Sequence, residues 1–468
     1  MNFSDRLSVY PFLKVASKIA EEKNLNVYIV GGFVRDLILM REKFEMDFLV
    51  VGDGISYASL LSKELGINKL NIFKTYGTAH FTIGGYDLEF VGARKESYHN
   101  DSRNPAITPG SFEDDIKRRD FTINTLAVSV NKDNFGELID IFNGIEDIHL
   151  KVIRTPVDPN ITLNDDPLRI MRAFRFASVL GFSVDESIMI VSKALRERLK
   201  IISRERITDE FLKILSSPQP SIGIKLLFYS GVLEIIFPEI ANLSGVEQRN
   251  DFHHKDVFLH TCQVVDNISK FTDNVWLRFA ALVHDIAKPQ TKRFVEGTGW
   301  TFHGHEEIGA RLMKGLFVKY KLPSSKLEYV EKLVRLHLRP IALAKEEVTD
   351  SAIRRLIVSA GLDLEDLITL CRADITSKNP DKVSKYLDNY ERVMKKVWEV
   401  EEKDKLRSFQ SPVRGEIIME VFKLKPSKLV GEIKSDIENA ILDGRIKNNY
   451  EDAFEYLLSI KEKHLGKN

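Results

Sequence analysis

The sequence predicts an α+β protein in which a mixed α/β region is followed by helices to the end of the chain. Three observations carry this. Up to about Thr155, short runs rich in β-branched residues (Val27–Val30, Asp47–Val51, Ala79–Ile83, Leu88–Val91) alternate with glycine-containing turns and helical stretches. Beyond Asn160 the strands fade, and apolar residues recur at three and four, as in Leu168, Met171, Ala173, Phe176 and Leu180. Pro156, Pro159, Pro218 and Pro220 then punctuate the helical region and suggest boundaries. A chain of 468 residues exceeds what one core usually organises, so roughly two to four domains are expected.

Composition narrows the class. Hydrophobic (43%) and charged (29%) shares are those of a soluble globular protein. Cys262 and Cys371 are the only cysteines, too few for a disulfide framework or a thiolate zinc site, which points to a reducing compartment. The stretch Met1–Asn24 mixes Asp5, Arg6, Lys14, Lys18, Glu21 and Glu22 among apolar residues, the pattern of an amphipathic helix and not of a signal peptide. No apolar run approaches a membrane span, so a cytoplasmic location without membrane partners is expected. Zero net charge argues against a protein that coats nucleic acid, and leaves room for one that grips a single folded RNA through a local basic groove. No internal repeat or low-complexity tract is present.

Within the first region, Arg94–Asp120 is polar, carries Asn104, Pro105, Pro109 and Gly110, and reads as a long functional loop. Ahead of it, Gly31-Gly32-Phe33-Val34-Arg35-Asp36 lies between a strand ending at Val30 and a helix starting near Val34. Paired glycines let backbone approach a phosphate, and Arg35 adds a fork of donors. A plain tight turn explains the pair equally well, and the Gly-x-Gly-x-x-Gly spacing of a dinucleotide site is absent. Glu45 and Asp47 are two apart, so both carboxylates project from one face of the next strand. Acids so placed suit a cation beside a phosphate site, and Glu89 on Leu88–Val91 supplies a third. Solvated acids at a strand edge give the same pattern.

Arg118-Arg119-Asp120-Phe121-Thr122-Ile123-Asn124, taken with the glycine turn and the acid pair, closely resembles the class II tRNA nucleotidyltransferase and poly(A) polymerase family. Asp165-Asp166-Pro167-Leu168-Arg169-Ile170-Met171-Arg172 resembles its nucleotide-selecting motif, and Ile202–Glu210 its neck motif, so the likeness covers at least residues 26–240. The resemblance implies a polymerase-β-like nucleotidyltransferase head with a mixed α/β sheet (1–156), an all-α neck (157–248), an HD domain (249–380) and a helical tail (381–468). By it, Gly32 and Arg35 hold the triphosphate, Glu45 and Asp47 carry Mg2+, and Arg119 contacts the incoming nucleotide. Spacing three puts residues 166, 169, 172 and 175 on one helix face. By resemblance, Asp166 and Arg169 read the base edge without a template: an Asp accepts from the exocyclic amine of C or A, and an Arg donates to a ring acceptor. Arg172 and Arg175 would then face phosphates. Two departures stand out, Glu45 for the usual first Asp and Asp165 for the usual Glu; the longer Glu45 keeps the charge and shifts the oxygen by a methylene, which near-octahedral magnesium tolerates less well.

Seven of the eleven histidines fall between His253 and His337. His260, His284-Asp285 and Asp374 resemble the core ligands of the HD phosphohydrolase superfamily, with His305 and His337 completing a second metal position. His303 is a near neighbour of His305, and either could point inward. Imidazole and carboxylate donors suit Ni, Mn, Co, Fe or Zn better than magnesium, whereas a buried hydrogen-bonded core pair is the bland alternative. Near the C-terminus, Lys425–Lys434 and Ala440–Gly444 resemble a short signature of bacterial members and would help hold the tRNA body; a capped helical hairpin fits them as well. The expected function is addition of CCA to tRNA from CTP and ATP, with pyrophosphate released. The Arg94–Asp120 segment, where the resemblance puts the difference between members that finish with A and those that do not, favours the full reaction. A poly(A) polymerase, or a CC-only or A-only enzyme, shares every motif quoted. An HD phosphohydrolase with a vestigial transferase domain is the reading from another class, and a non-catalytic tRNA-binding module fits the full set of acids and arginines poorly.

Overall fold

The structure, a computed structural model, describes residues 1–75, 77–99, 102–250, 253–297, 299–343, 349–377, 379–404 and 411–461, and for 97–99, 102–106, 247–250, 253–255 and 403–404 their backbone alone. It divides into two compact units, Met1–Ala241 and Asn242–Asn468.

The first unit is built on a seven-stranded mixed sheet. Its strands are β1 (Asn26–Val30), β2 (Glu45–Val51), β3 (Asn71–Phe73), β4 (Thr78–Ile83), β5 (Tyr86–Gly92), β8 (Ala127–Ser129) and β9 (Leu138–Ile139), in the order β3-β4-β5-β2-β1-β8-β9. β2 and β5 pair in parallel, and the remaining neighbours are antiparallel. Alternation along β2 sets the chemistry. Met46, Phe48 and Val50 are fully buried, and Phe48 stacks on Phe90 of β5, while Glu45 and Asp47 take the opposite face. The N-terminal amphipathic stretch forms two helices, Ser4–Leu7 and Pro11–Glu22, the second opened by its proline.

Two expectations are corrected. Arg94–Asp120 is not a loop: it forms an antiparallel ribbon, β6 (Arg94–His99) with β7 (Ser102–Pro109), then a helix Phe112–Lys117 started by a Ser111–Asp114 capping box. Asn100 and Asp101 lie outside the described residues. The ribbon has an outer edge on each strand, where a proline's missing N–H costs nothing, so Pro105 and Pro109 do not forbid it. Asp166 is not on the helix it precedes. Its backbone is extended and the helix runs Leu168–Leu180, because a residue before proline is pushed out of the helical region.

From Pro159 onward helices dominate, with short strand pairings at 152–153/183–184, 247–250/253–256 and 293–295/299–301. In the second unit, helices Val257–Ile268, Val275–Val283, His305–Lys319, Leu327–Leu336 and Leu364–Ala373 surround a polar centre, and residues 413–460 pack a separate apolar cluster around Ile418, Ile433, Ile437 and Leu457. Residues 405–410 and 462–468 of the expected tail lie outside the described residues. Among the described residues, no helix is long and apolar enough to cross a membrane.

Packing is tight where the chain folds back on the glycine turn's neighbourhood. A Cβ on Gly144 would lie 2.3 Å from the Thr122 carbonyl oxygen, a backbone atom that cannot step aside. Gly315, inside the helix His305–Lys319, meets nothing within 4 Å. Gly144→Ala should therefore destabilise the protein by about 2 kcal/mol or more, and Gly315→Ala should stabilise it by up to about 1 kcal/mol, as read by chemical unfolding of the two variants.

Candidate active site and candidate metal centre

Two strands deliver the acids of the first unit. Asp47 on β2 lies between Val30 on β1 and Glu89 on β5, and His80 on β4 faces Glu89. Burial raises the Asp47 carboxyl pKa; Arg119 and Lys43 pull it back, and Glu45 adds to the rise. Glu89 is raised by burial and by Asp47, and eased by His80 and Arg94. Desolvated carboxylates that repel one another hold their charge best around a cation, and their hard oxygens suit magnesium. Glu45 is turned outward, its side chain 72% exposed and its Oε2 3.4 Å from Lys43 Nζ.

The glycine turn closes over this group. Gly31 adopts φ +75, which a side chain would strain, and a Cβ there would lie 3.2 Å from Arg119 Nη1 and 3.4 Å from Asp47 Oδ2. At Gly32 a Cβ would lie 2.6 Å from Lys43 Nζ. Glycine at both positions lets two cations and an acid come close against the backbone of the turn.

Arg35 is buried. Its Nε and Nη2 donate to Asp36 at 2.9 and 2.8 Å, and its Nη1 donates to Asn124 Oδ1 at 2.8 Å. Asn124 donates in turn to Asp120 Oδ1 at 3.0 Å, and Arg172 Nε donates to Asp120 Oδ2 at 2.8 Å. Burial opposes the charge on Asp120, but Arg172, Asn124 and Arg169 outweigh it and hold its carboxyl at about 2. Arg175 pairs with Glu210 at 2.7 Å, so both Arg172 and Arg175 enter ion pairs within the protein. Arg169 Nη1 donates to the Thr162 carbonyl (3.2 Å) and Nη2 to the Arg118 carbonyl (2.8 Å). Asp166 Oδ1 accepts from the Leu168 amide at 3.1 Å, with Arg206 3.9 Å from Oδ2. Arg119 pairs with buried Asp115, while Arg118 bridges Asp115 and Glu96 at the base of the β6–β7 ribbon.

In the second unit the histidines converge. His260, His284 and Asp285 offer ligand atoms within 4.8 Å of one another, and Asp285, His305 and His337 form a second such group; among the described residues no other group does so. His260 Nε2 lies 2.9 Å from Asp374 Oδ1, His284 Nε2 3.1 Å from Asp285 Oδ2, and His305 Nε2 3.2 Å from Asp285 Oδ1. Each ring is held through its other nitrogen: His284, His305 and His337 by the carbonyls of Ala281, Phe302 and Val334, and His260 by the Thr376 hydroxyl. A carbonyl only accepts, so these Nδ1 atoms donate and the Nε2 atoms face inward. His305 is buried and His303 exposed, which resolves that pair. Burial works against a charge on His284, yet Asp285 and Asp374 raise its pKa to about 10, whereas burial and His284 push His337 down to about 3. Lys288 Nζ lies 2.6 Å from Asp285 Oδ2. The donor set and the buried His284 Nε2, which lies against Asp285 and Asp374 without forming a hydrogen bond, fit a divalent transition metal.

Known families match parts of both units. The family described as "Poly A polymerase head domain" matches residues 27–154, "Probable RNA and SrmB- binding site of polymerase A" matches 181–243, and "HD domain" matches 257–377. The A-adding tRNA nucleotidyltransferase of Deinococcus radiodurans is 30% identical over 431 residues, covering 89% of this chain and 92% of that protein. The chain belongs to the tRNA nucleotidyltransferase and poly(A) polymerase family. The multifunctional CCA protein of Psychromonas ingrahamii is 30% identical over 374 residues, 78% of this chain and 83% of that one. An A-adding tRNA nucleotidyltransferase of Aquifex aeolicus is 34% identical over 312 residues; these span 65% of this chain but only 36% of that longer protein. A crystal structure of a tRNA nucleotidyltransferase complexed with a primer tRNA and an incoming ATP analog superposes with TM-score 0.59 at 26% identity, over 81% of this chain and 98% of that one.

Within this nucleotidyltransferase-family architecture, several site residues escape sequence reasoning. Asp36, Asp120, Asn124 and Glu210 stand inside the quoted motifs, but nothing in the spacing says which arginine each one meets. Lys43 and Thr376 carry no local signal, and Lys288 only its position one helical turn after Asp285. The buried Asp120–Arg172 pair gives the sharpest test. Because the Asp120 pKa is lower folded than unfolded, its stabilisation is present above about pH 4 and fades as pH falls toward 2. Asp120→Asn should cost about 3 kcal/mol at neutral pH, and urea titrations should show that gap from wild type narrowing below about pH 4.

Proposed function

We propose that this protein adds CMP, CMP and AMP to the 3′ end of tRNA from CTP and ATP, without a template, and releases pyrophosphate. One observation carries the reading: the Gly31-Gly32 turn, Asp47 and Arg119 meet at one point of the sheet, in a chain of this family. The turn, Lys43, Arg35 and Arg119 supply the room and positive charge for a triphosphate. Asp47, Glu45 and Glu89 would hold Mg2+, which when bound supplies activation of the primer hydroxyl and charge neutralisation on the phosphates. The primer 3′-oxygen attacks the α-phosphorus, the bond to the β-phosphate oxygen breaks, and pyrophosphate leaves.

Asp166 and Arg169 are the residues we assign to base choice. Each terminal nitrogen of Arg169 spends one hydrogen on a backbone carbonyl, leaving one apiece for a ligand on a side chain that cannot swing. The Arg118 carbonyl that holds Arg169 belongs to the residue anchoring the β6–β7 ribbon through Glu96, which supports a link between that ribbon and nucleotide choice. Relatives named for CCA addition and for A addition both match, and an A-adding enzyme is the competing reading. tRNAs ending before CCA, after C and after CC, incubated with labelled CTP or ATP, separate the two. All three primers should be completed; extension of the CC primer alone, and only by ATP, would make this an A-adding enzyme. Asp47→Ala should lower addition at least a thousandfold with tRNA affinity kept within about threefold, because the acid meets metal and not RNA.

A second reading, favoured by the inward Nε2 atoms around Asp285, assigns the second unit a separate phosphohydrolase activity. A transition metal bound there supplies Lewis acidity toward water and phosphoryl oxygens. A 2′,3′-cyclic phosphate on a damaged RNA end is a fitting substrate, since clearing it would yield a hydroxyl for the transferase. Metal must displace the His284 proton, so affinity for Ni, Co or Mn should climb with pH toward about 10 and weaken as pH falls. Calorimetry across pH tests this. His284→Ala with Asp285→Ala should remove metal and cyclic-phosphate hydrolysis while sparing nucleotide addition; a wild type that hydrolyses nothing with any of these metals refutes the activity.

A further inference from the structure

Phe176 fits the apolar spacing of the helix Leu168–Leu180 and is 6% exposed, which by itself describes a core residue. Its neighbours are not those of a core residue. The guanidinium carbons of Arg175, Arg35 and Arg172 lie 4.2, 5.1 and 5.6 Å from its ring centroid, and Phe121 meets it edge-on at 5.8 Å. Three cations around one phenyl ring would repel one another without compensation. Each has its own acid: Asp36 for Arg35, Asp120 for Arg172 and Glu210 for Arg175. The acids differ from arginine to arginine, and the ring is a contact all three share.

We propose that Phe176 is a positioning residue for the incoming nucleotide, its ring fixing the planes of Arg35, Arg172 and Arg175 together. The argument is geometric. A carboxylate grips one edge of a guanidinium and leaves it able to tilt, whereas contact with an aromatic ring constrains the plane itself. Arg35 follows the glycine turn, and Arg172 and Arg175 sit on the helix that also carries Arg169, so one ring joins the glycine turn to that helix. A cation placed against a desolvated ring is held by its quadrupole as well as by packing, which an aliphatic side chain of similar size does not reproduce.

The proposal rests on the nucleotidyltransferase reading above, and its test keeps the two apart. Binding of ATP and of CTP to the full-length protein without RNA is measured by calorimetry, and KM and kcat are measured separately on a primer tRNA. Phe176→Leu, which keeps apolar bulk and loses the ring, should raise Kd and KM for both triphosphates about tenfold, with kcat and primer KM within about twofold. Phe176→Tyr should restore nucleotide affinity to within about threefold of wild type. A folded Leu variant with wild-type affinity, or a Tyr variant as impaired as Leu, overturns the role of the ring. Phe176→Met serves as the aliphatic variant if Leu does not fold, and failure of both to fold would make Phe176 a packing residue and overturn the proposal. A wild type that binds ATP and CTP yet extends no RNA defeats the activity instead, and leaves the binding comparison standing.

Discussion

Asp120 keeps a negative charge where water cannot reach it, and much of the first unit is arranged to make that tolerable. One of its oxygens accepts from Asn124 and from the Phe121 amide, and the other from Arg172. Asn124 passes the connection to Arg35, which carries Asp36 with it. A buried carboxylate with all its partners present is tolerable, and one that loses a partner is not. The glycine turn, the residues after the β6–β7 ribbon and the helix Leu168–Leu180 are therefore held in register by a single chain of hydrogen bonds.

The second unit solves a related problem differently. Imidazoles have two nitrogens, and a metal ligand needs one of them fixed. His284, His305 and His337 all use the same device, a bond from Nδ1 to the carbonyl three residues earlier, just after a helix end for His284 and His337 and at a helix start for His305. His260 sits inside a helix, where backbone carbonyls are already engaged, and turns to Thr376 on a distant segment. Three of the four rings thus present their Nε2 atoms with no dedicated scaffold beyond ordinary helix termini.

How far the chain could be read in advance follows from the range of the forces involved. Alternation in β2 is local, so Glu45 and Asp47 on one face, and the strands around them, were legible from spacing. The histidine cluster was legible as a set, because buried imidazoles in such number need a reason. The β6–β7 ribbon was not: its pairing is carried by backbone hydrogen bonds, which composition does not encode, and its prolines argued for a loop. Asp166 was drawn onto a helix by counting in threes, although Pro167 already forbade it. Phe176 read as core because periodicity registers that a side chain is buried and says nothing of what buries it.

Asp285 belongs to both groups of ligand atoms in the second unit, one oxygen toward His284 and the other toward His305. A divalent ion in either group would be held by Asp285 together with that group's own two histidines, so the two groups share a single ligand residue. The same carboxylate also meets Lys288, so an ion in either group would compete with that ammonium for Asp285. Evolution could tune either pocket through its own histidines, but it could not give up one ion at Asp285 without surrendering both.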